Sequence, residues 1–519
     1  MQKLLTLLGL CLVSMAQAQQ WQMVDKPLFQ EKNNTNGVSF VDIDQDGDLD
    51  LFLTNAHTPF GFNTIYRNDG NDNFTKIEAG EVTGLQTVSF GHTWGDFDND
   101  GLPDLFIANA FTKMGSLLYK NLGDFKFRRI ESYNVGSNLV LAFDAAWADY
   151  DNDGWLDLVT IHPARFVGKP IRSNSLFKNN GDLSFAEIIS TPITGPTAPY
   201  TNGTWSDYDL DGDMDLFIGS GPANGTVAPD FHFKNQLKET GKATFQRMRK
   251  EQFAKDAMDG QTWNWVDYDN DGDLDVFMTN YSGTPNGQGQ PNGMVNHFYR
   301  NDQDSMTRIT EGPLVEELSV SLANMWADFD NDGDLDVIVG NSRSTNKHYR
   351  NNGDGSFEYV ANSPIESPGS KVTWGMSNGD YDNDGDIDLF ISNKVAYANG
   401  GANGGDVNYL YRNDLDNGYH WLLIQCEGKD SNRSAIGTIV QVTANINGQA
   451  VTQTRVIGTN NTFLGDNDIR AHFGLNTSSE IDLVKISWPS GKVDEYQNIK
   501  ADQLLVATEG EDLKVPSGK

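Results

Sequence analysis

Two cysteines in 519 residues cannot build a disulfide framework. Cys11 falls in the N-terminal leader, and Cys426 stands in the apolar run WLLIQC, where it reads as a buried core residue. Basic residues are scarce as well: 38 Lys and Arg face 72 Asp and Glu, a formal net charge of −34. That deficit excludes nucleic acid and anionic membrane as partners, because both are held by basic patches. Long apolar runs are missing. The one candidate, Leu4 to Val13, is too short to span a bilayer. With Lys3 before it and Ala16-Gln17-Ala18 after it, it reads as a secretory signal cleaved near Ala18. A secreted chain with no possible intramolecular disulfide needs another fastener.

What the chain has instead is one acidic tract, D-x-D-x-D-G-x-x-D, seven times over. The copies begin at Asp42, Asp96, Asp149, Asp207, Asp267, Asp328 and Asp380, at intervals of 52 to 61 residues. They hold 33 of the 72 acidic residues, so much of the net charge has a local purpose. Alternate carboxylates on a tight loop converge on one point, and the glycine at position six supplies the turn. The expected ligands at positions one, three, five and nine are Asp42, Asp44, Asp46 and Asp50 in the first tract, and Asp96, Asp98, Asp100 and Asp104 in the second. They are Asp149, Asp151, Asp153 and Asp157 in the third, Asp207, Asp209, Asp211 and Asp215 in the fourth, and Asp267, Asp269, Asp271 and Asp275 in the fifth. The sixth has Asp328, Asp330, Asp332 and Asp336, and the seventh Asp380, Asp382, Asp384 and Asp388.

Position seven is Asp48, Leu102, Trp155, Asp213, Asp273, Asp334 or Asp386. Leu and Trp have no side-chain ligand for a hard cation, so this position is expected to offer its backbone carbonyl. An all-oxygen set selects calcium over zinc or copper, and magnesium is the weaker candidate. Up to seven structural calcium ions are expected. Position twelve is apolar or Thr and the flanks are strand-like, so the tract is not an EF-hand but the loop of a β-hairpin.

Each repeat carries more. A Trp precedes six of the tracts (Trp94, Trp147, Trp205, Trp265, Trp326 and Trp374), and Phe40 takes a comparable place in the first. Downstream comes an aromatic, a basic residue and Asn, at Tyr66, Tyr119, Phe177, Phe233, Tyr299, Tyr349 and Tyr411. A Gly-containing turn and a short strand such as FTKI or FAEI then follow in most copies. Four short strands per repeat at this period predict an all-β fold, a seven-bladed β-propeller with calcium loops, followed by a small β-rich domain. The seventh repeat lacks its fourth strand, and Trp21-Gln22-Met23-Val24 is expected to supply it and close the ring. The boundaries are 1–18 for the signal, 19–415 for the propeller, 416–510 for the C-terminal domain and 511–519 for a flexible tail.

The tracts and their lead-in, as in SFGHTWGDFDNDG from Ser89, resemble the FG-GAP/VCBS repeats of integrin α-subunit propellers and of secreted bacterial proteins. HWLLIQCEG from His420, SNRSAIGTIVQV from Ser431, FLGDNDIRAHFGL from Phe463 and VKISWPSG from Val484 resemble the ASPIC/UnbV domain. The combination is similar to the cartilage acidic protein family and its bacterial relatives. That resemblance implies a secreted, calcium-binding, non-catalytic protein.

In the C-terminal domain, strands are expected near Ile439–Ala444, Val451–Ile457 and Val484–Trp488. Ser431, Asn432 and Arg433 are expected to form a fixed polar corner. Arg455, Arg470 and His472 are either structural, the favoured reading, or a small anion or glycan site. Catalytic signatures are absent. The eight His residues form no metal-ligand spacing, and there is no nucleophile elbow or phosphate-binding Gly loop. The favoured expectation is an adhesion or recognition protein with an extracellular protein or glycan partner and no membrane insertion. Its binding surface would be the long loops opposite the tracts, such as NAHTPFGFN and NKVAYANGGANGGDVN. The alternatives are a lectin using Tyr281 and Tyr397, or a polysaccharide-active enzyme using His57, His92 or His162.

Overall fold

The strands that follow the tracts, such as DLFLTN and DVIVGN, are short apolar runs buried along their whole length, and in a computed structural model of the chain each forms a hairpin with the strand before it, the tract being the loop. The structure describes residues 21–516 except 57–60, 110–114, 132–134, 136–141, 164–172, 222–227, 282–292, 303–304, 367–371 and 395–404. The signal region, His57, Tyr397 and most of the long loops opposite the tracts lie outside the described residues. In the first repeat Thr35–Val41, Asp50–Asn55, Thr64–Asn68 and Phe74–Ile77 pair antiparallel in that order. Each of the other six tracts lies in a four-stranded antiparallel sheet of the same plan. The sheets are numbered here by their tracts. In sheet 7 the outer strand is Trp21–Met23, paired antiparallel with Tyr409–Asn413 in the register Trp21 to Asn413.

The leading strands are Thr35–Val41, Ser89–Gly95, Asp144–Ala148, Tyr200–Ser206, Gly260–Val266, Ser321–Ala327 and Val372–Gly379. They line up side by side through hydrogen bonds from one sheet to the next. Asn36 Nδ2 donates to Ser89 O, Gly91 N to Phe143 O (2.9 Å) and Gly203 N to Asp144 Oδ2 (3.2 Å). Thr201 Oγ1 donates to Gly260 O, Thr262 Oγ1 to Leu322 O (2.8 Å) and Asn378 Nδ2 to Trp326 O (3.4 Å). Phe40 N donates to Ser377 Oγ (3.0 Å), so the last sheet meets the first. The arrangement is all-β and propeller-like, with an apolar layer between successive sheets.

Trp374 is not equivalent to the other lead-in tryptophans. The residue two places before the seventh tract is Asn378. Trp374 lies four residues further back, beyond a register shift between Thr373 and Met376, and packs on Phe463 with ring centroids 5.9 Å apart.

After Asn413 the chain builds two more sheets that share one core of Leu422, Ile424, Val440, Phe473, Val484 and Trp488 among others. One is Ala471–Asn476, His420–Glu427 and Gln503–Thr508; the other is Gln449–Val456, Ile439–Ile446, Glu480–Ser487 and Val493–Lys500. Asn447 and Gly448, with φ of 52° and 84°, make the left-handed turn between Ile446 and Gln449. Cys426 is buried in this core.

This domain sits on the tract side of the ring and sends one loop down its axis. Thr459 Oγ1 donates to Trp147 O (3.1 Å), Asn460 Nδ2 to Asp144 Oδ2 (2.5 Å) and Thr462 Oγ1 to Met376 O (2.7 Å). Asp466 accepts from Trp94 N (2.8 Å) and Thr93 Oγ1 (3.3 Å), while its own N–H donates to Ser39 Oγ (2.8 Å). Asn460 Nδ2 also donates to Gly203 O and Thr462 O accepts from Asn202 Nδ2 (3.5 Å), so the loop touches sheets 1, 2, 3, 4 and 7 within nine residues. The fit depends on glycine: a Cβ at Gly37 would lie 1.9 Å from Leu464 O. Among the described residues, no helix is long and apolar enough to cross a membrane.

Candidate metal centre

The seven tracts share most of one geometry. In six of them the position-one carboxylate turns inward and accepts backbone N–H groups of positions five and six; Asp42 takes Asp46 N and Gly47 N, both at 2.9 Å. In the fifth, Asp267 accepts from Gly272 N at 3.4 Å. The position-five carboxylate accepts the N–H of position seven, as Asp46 does from Asp48 at 3.0 Å. The position-nine carboxylate ties the loop to the third strand: Asp50 Oδ1 accepts Asn68 N (2.9 Å) and Asp157 Oδ1 accepts Asn179 N (2.7 Å). These bonds fix the carboxylates before any ligand arrives. In the first three tracts, oxygens of positions one, three and nine lie within 4.8 Å of one another. In the fourth the grouping is Asp207, Asp209 and Asp211, and Asp211 also groups with Asp213 and Glu239.

Position three completes the set. Oδ1 of Asp98, Asp151, Asp209, Asp269, Asp330 and Asp382 is buried without a hydrogen-bond partner. Burial and the neighbouring carboxylates push the proton affinity of the position-nine carboxylates up. Burial is the larger cause for Asp50, raised to about 8, and for Asp275, raised to about 9. A divalent cation among these oxygens would supply the missing partner and cancel the repulsion, so the residues fit a calcium ion.

The position-seven side chains look elsewhere. Asp48 Oδ1 accepts from Asn383 Nδ2 (2.9 Å), Asp334 Oδ1 from Asn270 Nδ2 (3.0 Å) and Asp386 Oδ1 from Asn331 Nδ2 (2.9 Å). Position four, a left-handed residue in every tract, is the donor in these links. Asn99 and Asn152 reach the glycine carbonyls of the next tracts, Gly154 O (2.9 Å) and Gly212 O (2.8 Å). Gln45 and Leu210 occupy this position in tracts 1 and 4.

The asparagine of the aromatic-basic-Asn motif has a role that reading single repeats misses. Its Nδ2 crosses to the preceding sheet: Asn68 to Tyr381 O (2.8 Å), Asn121 to Ile43 O (2.8 Å), Asn179 to Phe97 O (2.7 Å) and Asn235 to Tyr150 O (2.7 Å). Asn351 reaches Tyr268 O (2.8 Å) and Asn413 reaches Phe329 O (2.8 Å). Its recurrence in all seven repeats was the available signal.

The C-terminal domain docks on the tracts. Arg470 Nη2 donates to Asp380 O (2.7 Å), His472 Nε2 to Gly385 O (3.1 Å) and Asn476 N to Asn331 O (2.8 Å). Arg433 N donates to Asn99 Oδ1 (2.9 Å) from the polar corner at Ser431–Arg433. Arg470 pairs with Asp468, each side chain 6% exposed, and Arg455 donates to His472 O (3.2 Å). Arg455, Arg470 and His472 therefore serve the fold.

Two of the three candidate catalytic histidines, His92 and His162, are buried; His57 lies outside the described residues. His92 is fully buried, bonded to Ser39 Oγ (2.7 Å), and burial lowers its pKa to about 3. His162 is buried beside Thr160 Oγ1 (2.9 Å).

Residues 428–514 match the ASPIC and UnbV family, and residues 42–107, 96–160, 267–339 and 328–391 match the FG-GAP-like repeat. Cartilage acidic protein 1 of Homo sapiens is 22% identical over 346 residues, 60% of this chain and 48% of the human protein. The match therefore spans just under half of that relative. The Mus musculus protein is 23% identical over 492 residues, 88% of this chain and 71% of its own. Among solved structures, YCF48 bound to D1 peptide has a TM-score of 0.45 at 9% identity, covering 77% of this chain and 96% of its own. The BP39L lectin from Burkholderia pseudomallei has a TM-score of 0.44 at 9% identity, covering 72% and 99%. The chain is homologous to cartilage acidic protein 1 and has its architecture, FG-GAP-like repeats followed by an ASPIC and UnbV domain.

Proposed function

We propose that this is a secreted, calcium-binding recognition protein without catalytic activity, a seven-bladed propeller pinned by up to seven calcium ions. One observation carries the reading: a buried position-three carboxylate oxygen stands without a hydrogen-bond partner in six of the seven tracts. Calcium would be held by the carboxylates of positions one, three, five and nine and by the backbone carbonyl of position seven. The side chains of Asp48, Asp334 and Asp386 are engaged with the neighbouring tract, which favours the backbone carbonyl over the side chain for that role. The ion's part is structural, holding each outer hairpin closed against its own charge. The relatives are named for cartilage and for acidity, which suits a matrix protein with a net charge of −34. Because the C-terminal domain covers the tract side, the partner would meet the opposite face and its long loops.

The test is thermal unfolding of the mature chain with calcium and with a chelator, together with a count of bound metal. Each site contributes about 2.7 kcal/mol at a free calcium concentration 100-fold above its dissociation constant. A higher Tm with calcium and close to seven ions is expected; an unchanged Tm with no bound ion would refute the reading. Turnover on a polysaccharide panel would refute the absence of catalysis.

A second reading, glycan binding, is favoured by a cavity of about 160 Å³ between the ring and the C-terminal domain. It is lined by Trp205, Trp265, Trp326, Asn264 and Asn467 among others, aromatic faces beside amides. A glycan array read out by binding decides it.

A further inference from the structure

The residue before the stapling asparagine is Lys in repeats 2, 3 and 4 (Lys120, Lys178, Lys234) and Arg in repeats 1, 5, 6 and 7 (Arg67, Arg300, Arg350, Arg412). The two sets behave differently. Lys120 Nζ donates to Asp98 Oδ2 and, at 2.6 Å, to Asp100 Oδ2, positions three and five of its own tract. Lys178 Nζ does the same to Asp151 and, at 2.8 Å, to Asp153. Lys234 Nζ donates to Asp209, lies 3.7 Å from Asp211 and also pairs with Glu239 outside the tract (3.0 Å). The arginines pair with carboxylates outside the tracts: Arg67 with Asp69 (2.7 Å), Arg300 with Asp302 (3.0 Å), Arg350 with Glu358 (3.0 Å) and Arg412 with Asp414 (2.8 Å). Arg412 comes within 3.9 Å of Asp382, short of a hydrogen bond.

The sequence encodes most of this division; Arg350, with Asn352 two residues on, takes Glu358 of the next strand instead. Two residues after Arg67, Arg300 and Arg412 stands an Asp; two after Lys120, Lys178 and Lys234 stand Leu122, Asn180 and Gln236. A planar guanidinium takes the nearby carboxylate as a fork, whereas a lysine with no such neighbour carries its point charge to the most negative place within reach, the tract itself. Tracts 2 and 3 also have a neutral residue, Leu102 or Trp155, at position seven, so they offer a cation less negative charge.

We propose that the seven tracts form two classes of calcium site: tight sites in repeats 1, 5, 6 and 7, and weak sites in repeats 2, 3 and 4, where a resident lysine shares the ligand carboxylates with the ion. This rests on the calcium reading above and divides it. The lysine keeps tracts 2 to 4 in shape at low calcium, so one half of the ring holds its loops without metal while the other half depends on it. An ammonium in hydrogen-bonding contact with two ligand carboxylates lowers calcium affinity roughly tenfold or more by like-charge repulsion.

The experiment is calorimetric titration of the chelator-stripped full chain with calcium chloride. Wild type is expected to bind in two steps, near four ions and then near three. The Lys120→Met, Lys178→Met, Lys234→Met triple variant is expected to tighten the second step at least tenfold, merging the two. Should the triple variant fold poorly, Lys120→Arg with Leu122→Asp transplants the arginine arrangement into repeat 2 and is expected to shift the division to five and two. Seven equivalent sites in wild type, or a second step unmoved in both variants, overturns the proposal and leaves the calcium reading standing. No heat and no bound metal sinks the calcium reading itself.

Discussion

Replacing Asn179 by Ala tests whether the recurrent asparagine joins one sheet to the next. Asn179 Nδ2 donates to Phe97 O of sheet 2 (2.7 Å) and to Leu156 O of its own tract (3.0 Å), and Oδ1 accepts Gly181 N (3.0 Å). The residue is 1% exposed, so water cannot take over without rearrangement. The substitution removes three bonds and strands two carbonyls. A buried group left without its partner costs about 1–3 kcal/mol, and with the Gly181 bond near solvent a total of about 3 kcal/mol is expected. Urea unfolding at saturating calcium reads it as a lower midpoint with an unchanged m-value. The control is the adjacent Asn180→Ala. Asn180 Nδ2 reaches Ser184 Oγ at the surface (2.9 Å), so its loss should stay within about 0.5 kcal/mol. Equal effects at the two positions, or less than about 0.5 kcal/mol at Asn179, would refute the stapling role.

Three further outcomes are expected. Gly37→Ala drives a methyl into Leu464 O and should raise hydrogen exchange across residues 458–470 more than in the strands of sheet 5; uniform protection would contradict the axial loop. Arg470→Ala leaves the Asp468 carboxylate buried without its partner, a loss of about 3–5 kcal/mol in unfolding free energy, and adding Asp468→Asn should recover part of it. Asp144 and Asp466 are each raised to about 7, chiefly by burial, against 3.8 for an unperturbed group. The folded chain therefore binds more protons than the unfolded one between those values, so at saturating calcium stability falls as pH rises from about 4 to about 7 and then levels. Asp466→Asn should flatten that slope in a Tm-against-pH series, and an unaltered slope would count against it.

The tracts, the strands around them and the outer strand at Trp21–Met23 were readable because each is a local pattern: carboxylates in fixed phase, alternating apolar residues, an aromatic at the right spacing. Trp374 was misaligned because the register shift before Met376 displaces the lead-in, and no pattern within the repeat marks it. The loop through the axis was invisible for another reason. Thr459–Asn467 reads TNNTFLGDN, an ordinary polar connection, and its partners lie more than 80 residues away along the chain. Such complementarity has no signature in either segment alone. Arg455, Arg470 and His472 reach carbonyls of the tracts and of their own domain, beside the Asp468 carboxylate that pairs with Arg470; a carbonyl carries no side-chain identity for a sequence to display.

The axial loop also fixes how many repeats the ring can have. Its side chains and backbone meet sheets 1, 2, 3, 4 and 7 at once, so its girth is matched to a bore of one diameter. A duplicated repeat would widen the bore and leave Asp466 and Asn460 short of their partners; a lost one would crush Phe463 against the walls. Propeller arrays elsewhere can grow or shrink by whole repeats, but here the loop of the terminal domain acts as a gauge on the count.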